Sequence, residues 1–413
     1  MNFLNKNFMR THSKALFFNR ELKLKTFLSL LLVALLTFSC GSDDDGSVIA
    51  PEEELAALII DCSTAGQVGE GETRRLTNRN NGIDYIIDCV FVVNGDFIID
   101  PGVTIQFGTD AGIRVYSTGS LQAIGTAQEP IIFTSGSQTV GAWKGIFIDS
   151  NDVQNELTYA VIDYAGGGSF NSNGDLGSVI VWSDTRLKMS NTIIRNSESY
   201  GFNASYGGDT LTLENNTITA CNAPMYIEGA YPTTISGGSY IGNTTDAIIV
   251  TADQITGNHN WSKLNVPYHL PEGLQVISGG KLTLNPGVVM AFGLDAELYI
   301  NEGASGPKPS LIAVGTTQNP ILFTGINTTQ SAWRGIRFDT PSVLNEIGFA
   351  TIEYASNSNQ SGALYLWYGT VLDVHDVTFR NIQFCAFTLE PTPNNITTSN
   401  ITYVNVTNMF CDI

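Results

Sequence analysis

Beyond residue 60, apolar and polar positions alternate in short runs, such as Leu187-Lys-Met189, Leu211-Thr-Leu213 and Leu364-Tyr-Leu-Trp367. Gly, Asn, Asp and Ser separate the runs, which predicts short strands joined by tight turns. No stretch there holds a helical period flanked by caps. The runs recur in phase. Leu187-Lys-Met-Ser-Asn191 with Ile194 returns 24 residues later as Leu211-Thr-Leu-Glu-Asn215 with Ile218. Thr233-Thr-Ile235 and Ile248-Ile-Val250 continue the echo. Leu372-Asp-Val-His-Asp376 with Phe379 returns, again at 24, as Ile396-Thr-Thr-Ser-Asn400 with Tyr403. A propeller blade needs ~40 residues, and a sandwich does not require one apolar phase in every unit. A coil of three short strands per turn fits best. Turns would stack at the ~4.8 Å strand spacing, with inward side chains in columns. Asn191 over Asn215 would then make an amide ladder.

A longer repeat lies over the short one. Leu121-Gln-Ala-Ile-Gly-Thr-Ala-Gln-Glu-Pro-Ile-Ile-Phe-Thr134 returns as Leu311-Ile-Ala-Val-Gly-Thr-Thr-Gln-Asn-Pro-Ile-Leu-Phe-Thr324. Ala142-Trp-Lys-Gly-Ile146 returns as Ala332-Trp-Arg-Gly-Ile336, and the run from Asn155 to Ala165 returns from Asn345 to Ala355. The chain therefore divides into copy 1 with an N-terminal cap (61–260) and a continuous copy 2 (261–413). Duplicated features favour scaffold over chemistry, because a catalytic centre usually occurs once.

Three motifs and their second-copy partners carry a family resemblance: Pro101-Gly-Val-Thr-Ile-Gln-Phe107, Gly125-Thr-x-x-x-Pro-Ile-x-Phe133 and Trp143-x-Gly-Ile146. The region from about residue 83 onward resembles the right-handed parallel β-helix proteins of the pectate-lyase-like superfamily. The resemblance implies an all-β solenoid. It implies no single activity, since the superfamily holds polysaccharide lyases, glycoside hydrolases, tailspikes and adhesins.

Residues 1–39 read as a targeting segment. Lys6, Arg10, Lys14, Arg20, Lys23 and Lys25 precede a short apolar run, Phe27 to Phe38, too short for a ~20-residue membrane span. Leu35-Leu-Thr-Phe-Ser-Cys40 resembles a looser lipobox of Bacteroidetes lipoproteins, and Asp43-Asp-Asp45 resembles their surface-export signal. The resemblance implies lipid attachment at Cys40 and an outer-membrane protein facing the exterior, held by its acyl chains. Residues 40–60 would form an acidic tether.

The chain is formally −19. Beyond residue 39 it holds 14 basic and 38 acidic residues, a charge of −24, which excludes nucleic acid as a partner. Of six cysteines, Cys62 and Cys89 bracket the start of the repeats and Cys385 and Cys411 their end. These four are candidate disulfide partners in an oxidising exterior, with connectivity left open. Cys221 reads as a small buried hydrophobe. No Cys-x-x-Cys, phosphate loop or EF-type loop is present, so no metal or cofactor is expected.

Catalytic candidates are few. Lys144, Arg195, Arg334, Arg337 and Arg380 are the basic residues that could serve a lyase. Lys144 matches Arg334 and Arg195 matches Arg380 between the copies, which favours structural pairing with acids. Asp149-Ser-Asn-Asp152 reads as a polar turn, and it keeps only Asp339 in copy 2. His375 stands where copy 1 has Ser190. No catalytic set emerges.

The remaining constellation is aromatic. If Leu364 and Leu366 face inward, Tyr365 and Trp367 face outward, and Trp182 does so in copy 1. Exposed flat rings stack on sugars and anchor protein contacts. The sequence thus predicts a monomeric, non-catalytic surface module that binds a neutral glycan or another surface protein. A polysaccharide lyase or hydrolase is the alternative, and a purely structural element the third.

Overall fold

The computed structural model describes residues 56–412, apart from 64–66, 81, 252–253, 304–305, 330, 357–361, 368 and 392. Cys40, the leader and most of the expected tether lie outside the described residues. Glu54–Ile413 forms one compact unit with its own core. Among the described residues there is no α-helix, and one 3-10 turn lies at Tyr231–Thr234. Every registered strand pair is parallel, and the long parallel sheets are compatible with the expected coil.

The repeat spacing appears directly as strand register. Leu187 pairs with Leu211 and Met189 with Leu213. Ile162 pairs with Ile194, which pairs with Ile218. Val179 pairs with Phe202, Phe202 with Met225 and Met225 with Ile248. All these side chains are buried. Alternation turns every second residue to one side, so in-phase runs bury their apolar set together. Each large aliphatic side chain removed from water contributes about 1.5–3 kcal/mol.

At the junction the copies join out of phase. Val289–Phe292 follows Pro286-Gly287 as Thr104–Phe107 follows Pro101-Gly102. In copy 1 the latter strand belongs to the ladder running through Tyr85–Ile87, Ile131–Ser135 and Ala160–Asp163. In copy 2 its counterpart continues a different ladder. Met225, Ile248, Tyr268, Met290 and Phe323 follow one another in register. The expected boundary at 260/261 falls inside the strand Asn258–Trp261.

The duplicated motifs are scaffold. Trp143 and Trp333 are buried and stack on Phe107 (4.0 Å between centroids) and Phe292 (4.3 Å). Their indole N–H groups donate to the Asp163 and Glu353 carbonyls, at 2.8 and 2.9 Å. Gly145 and Gly335, two residues on, take φ of +110° and +120°. A Cβ there would meet the carbonyl oxygens of Ser178 at 2.4 Å and Ala363 at 2.6 Å, so only glycine fits. Asn155 accepts from the Leu121 N–H and donates to Ser150 O, while Asn345 accepts from Leu311 and donates to Val371 O. Each buried amide ties together backbone that would otherwise lack partners.

The amide ladder expected of Asn191 and Asn215 does not form. Both residues adopt positive φ, 50° and 53°, but their side chains make no bond to each other. Side-chain ladders form elsewhere, at Asn400–Asp376 (3.1 Å) and Asn405–Asn381 (2.9 Å). Disulfides join Cys62 to Cys89 and Cys385 to Cys411, each with Cα atoms 6.0 Å apart. Cys221 is buried, and burial pushes its thiol up to about 11.

Candidate functional site

Leu364 and Leu366 are fully buried, and Tyr365 and Trp367 are half-buried on the opposite side of their strand. Strand pairing places Tyr299, Arg337 and Tyr365 in one register column. The Arg337 guanidinium lies 4.4 Å from the Tyr299 ring centroid, 5.1 Å from that of Trp367 and 5.5 Å from that of Tyr365. Tyr365 and Trp367 meet edge to face at 5.8 Å. The Tyr299 hydroxyl donates to Asp339 (3.1 Å) and that of Tyr365 to Glu390 (2.7 Å). Burial, with Asp339 alongside, pushes the Tyr299 hydroxyl up to about 12. Burial and the bond to Glu390 hold that of Tyr365 well above its ordinary range. The two tyrosine hydroxyls of this copy 2 cluster are therefore tied to carboxylates.

Trp182 sits in a different setting. It stacks on Tyr206 (4.7 Å, 22°) and meets Phe147 at 6.0 Å. Tyr206 is 48% exposed. Beside it, Tyr200 and Tyr226 stack at 4.8 Å. These three tyrosines line a hollow of about 460 Å³ with Asp175, Asn203 and Ser205. Asn203 donates to Leu176 O and accepts from the Ser205 N–H, which fixes its amide. Asp175 is buried and accepts from the Asn171 amide at 2.6 Å. Among the described residues none hydrogen-bonds the hydroxyls of Tyr200, Tyr206 or Tyr226. Each hydroxyl can donate and accept. Burial raises the Tyr200 and Tyr226 hydroxyls, the latter also through Tyr200, Glu272 and Tyr206.

Glu272 belongs to the larger neighbouring cleft, about 720 Å³, lined by Gln254, Glu272, Gln275, Asp295, Glu297 and Arg334. Its counterpart in copy 1 is covered. Asp110-Ala-Gly-Ile-Arg114 matches Asp295-Ala-Glu-Leu-Tyr299, so Gly112 stands where copy 2 has Glu297. The Phe170 ring fills the space above Gly112, where an added Cβ would come within 2.6 Å of it. Arg114 donates to Phe170 O (3.2 Å), its guanidinium lying 5.2 Å from the Phe147 ring centroid. Lys144, the match of Arg334, donates to Ser169 O (2.9 Å). Arg334 is exposed at the cleft.

The other sequence candidates scatter. Arg195 pairs with Asp163 (2.8 Å) and Arg380 with Glu353 (2.7 Å), each acid nearly buried. Asp152 caps a turn by accepting from the Gln154 N–H. Asp149 is raised by burial, opposed by Arg114. His375 lies between Asp376 (3.0 Å) and Glu346 (3.1 Å). Among the described residues no group of His, Cys, Asp and Glu has the arrangement to hold a metal ion. Sequence reasoning missed Tyr200, Tyr206 and Tyr226. They share no motif: Tyr200 opens the strand Tyr200–Ala204 and Tyr206 follows it, while Tyr226 lies on the paired strand Ala223–Ile227, with Asn203 beside Tyr226 and Tyr200 beside Ala223. Period-2 alternation was the available signal, but it ends before Tyr206.

No protein-family model, curated protein or solved structure matches this chain.

Proposed function

We propose that this chain is a surface-exposed outer-membrane lipoprotein, anchored through Cys40, whose right-handed parallel β-helix binds a neutral glycan without cleaving it. Parallel pairing between successive repeats supports the helix, and right-handed crossovers are the near-universal form of parallel connection. The observation that carries the binding reading is the hollow of Tyr200, Tyr206 and Tyr226 beside Trp182. Ring faces supply stacking surface, and hydroxyls that no described residue bonds supply donors and acceptors for sugar hydroxyls. The net charge of −24 beyond residue 39 selects against acidic polysaccharides.

The test is calorimetric titration of residues 54–413 with a panel of neutral and uronate-containing oligosaccharides. Binding of a neutral member, weakened about tenfold or more in Trp182→Ala, supports the reading. Binding confined to uronates, or to none, defeats it. A second reading, hydrolysis, is favoured by Glu272, Asp295 and Glu297 in one cleft, because glycosidases use carboxylate pairs. New reducing ends in the same panel, lost in Glu297→Gln, would establish it.

A further inference from the structure

Copy 1 carries an insertion where the hollow is built. Ala165 matches Ala355, and Val179, paired with Ile146, matches Leu364, paired with Ile336. Thirteen residues separate Ala165 from Val179 and eight separate Ala355 from Leu364, so copy 1 holds five more. The longer loop is fastened at several points. Lys144 and Arg114 donate to the carbonyls of Ser169 and Phe170, and the Phe170 ring meets Phe147 at 5.6 Å. The Ser169 hydroxyl donates to Asn171 O (2.9 Å), and the Asn173 N–H donates to the Asn171 side-chain oxygen (3.1 Å). A loop tied in this way meets a ligand already ordered.

Near its end the loop brings Asp175 to the hollow, which Asp175 lines with Tyr200, Tyr206 and Tyr226. Asp175 is 7% exposed, and acidic side chains are almost never that buried unless paired. Among the described residues no Lys, Arg or His pairs with it, and only the Asn171 amide donates to it, at 2.6 Å. A carboxylate offers about four acceptor sites, so most of its capacity is unused. Sugar hydroxyls are donors of the right kind, and bonds to a carboxylate are stronger than those between neutral groups. Two hydroxyls on adjacent ring carbons lie close enough for one carboxylate to accept from both. The same carboxylate repels an acidic sugar. Building on the glycan reading, we infer that Asp175 sets the specificity of the hollow by accepting from both hydroxyls of an adjacent, unsubstituted pair on a neutral sugar unit. Linkage decides which glycans qualify. Chains joined through the hydroxyl of the fourth carbon keep free hydroxyls on the second and third carbons of every inner unit. Chains joined through the third carbon keep no adjacent pair on the ring carbons of their inner units.

Calorimetric titration of residues 54–413 with cellohexaose, maltohexaose, mannohexaose, xylohexaose and laminarihexaose tests it. The first four are joined through the fourth carbon, and laminarihexaose through the third. At least one of the four should bind, and laminarihexaose, which keeps the pair only at its ends, should bind about tenfold more weakly or worse. Asp175→Asn keeps an oxygen to accept from the Asn171 amide, so its melting temperature should stay near that of the parent. Its affinity for the tightest hexaose should fall about tenfold or more, and its preference over laminarihexaose should vanish. The linkage comparison uses the parent protein alone, so it decides the matter even if the variant folds poorly. Laminarihexaose binding as tightly as the best of the four, or parent affinity in Asp175→Asn, would overturn the role of Asp175 and leave glycan binding standing. Silence from all five while another neutral oligosaccharide binds would do the same, and no binding to any neutral oligosaccharide would overturn both.

Discussion

Copy 1 and copy 2 share a frame and differ on the face it presents. Beneath, they are nearly superposable in chemistry: a tryptophan stacked on phenylalanine, a glycine at positive φ, an asparagine stapling backbone, an arginine paired with an acid on the adjoining parallel strand. Above, the arrangement inverts. Arg114 packs under Phe147 in copy 1, whereas Tyr299 packs under Arg337 in copy 2. Copy 1 covers the place over Gly112 with Phe170, and among the described residues none bonds the hydroxyls of Tyr200, Tyr206 and Tyr226. Copy 2 opens a cleft at Glu297 and ties Tyr299 and Tyr365 to carboxylates. Duplication preserved what burial demands and released what faces water. Two half-buried aromatic clusters that look alike in sequence thus divide into one tied within the protein and one with polar tips available.

The shared frame can be broken first. Trp143→Ala and Trp333→Ala should each cost about 3–5 kcal/mol, because each removes a fully buried ring and orphans a carbonyl. Denaturant melts should show similar losses in both copies. A loss confined to one would mean that the frames are not equivalent.

The faces should then separate under smaller changes. Tyr365→Phe removes a hydroxyl that bonds Glu390 and should lower stability by about 0.5–1.5 kcal/mol. Tyr206→Phe removes a hydroxyl that no described residue bonds and should leave stability within about 0.5 kcal/mol. Thermal melts of the two variants distinguish tied from available hydroxyls.

The smallest effect concerns His375, which has no counterpart in copy 1. The bond to Asp376, joined by that to Glu346, raises its pKa above the ordinary 6.5. A group raised on folding stabilises below its unfolded pKa, and that contribution fades as pH rises through the folded value. His375→Gln should therefore lose more stability at pH 5.5 than at pH 8.5. An equal loss at both would show that its charge plays no part.

Much of the frame was legible because burial leaves periodic marks. Leu187 over Leu211 and Ile194 over Ile218 followed from the 24-residue echo, and the pairing of Arg195 and Arg380 with acids followed from their recurrence. The Asn191–Asn215 ladder failed because spacing fixes register but not where a turn aims its side chain. The outward set of Trp182, Tyr365 and Trp367 came from alternation. Alternation places side chains on a face, yet it is silent about Arg337, Asp339 and Glu390, which come from the neighbouring strand Gly335–Asp339 and the end of Val371–Leu389. The hollow was illegible for the same reason: Tyr206 and Tyr226 are 20 residues apart and belong to no shared motif.

The most direct test is a side-by-side titration of Tyr206→Ala and Tyr365→Ala with whichever neutral oligosaccharide the parent protein binds. Affinity should fall about tenfold or more in Tyr206→Ala, with its melting point nearly unchanged, and stay near that of the parent in Tyr365→Ala. Equal losses in both, or a loss only in Tyr365→Ala, would contradict the assignment of binding to the face of copy 1.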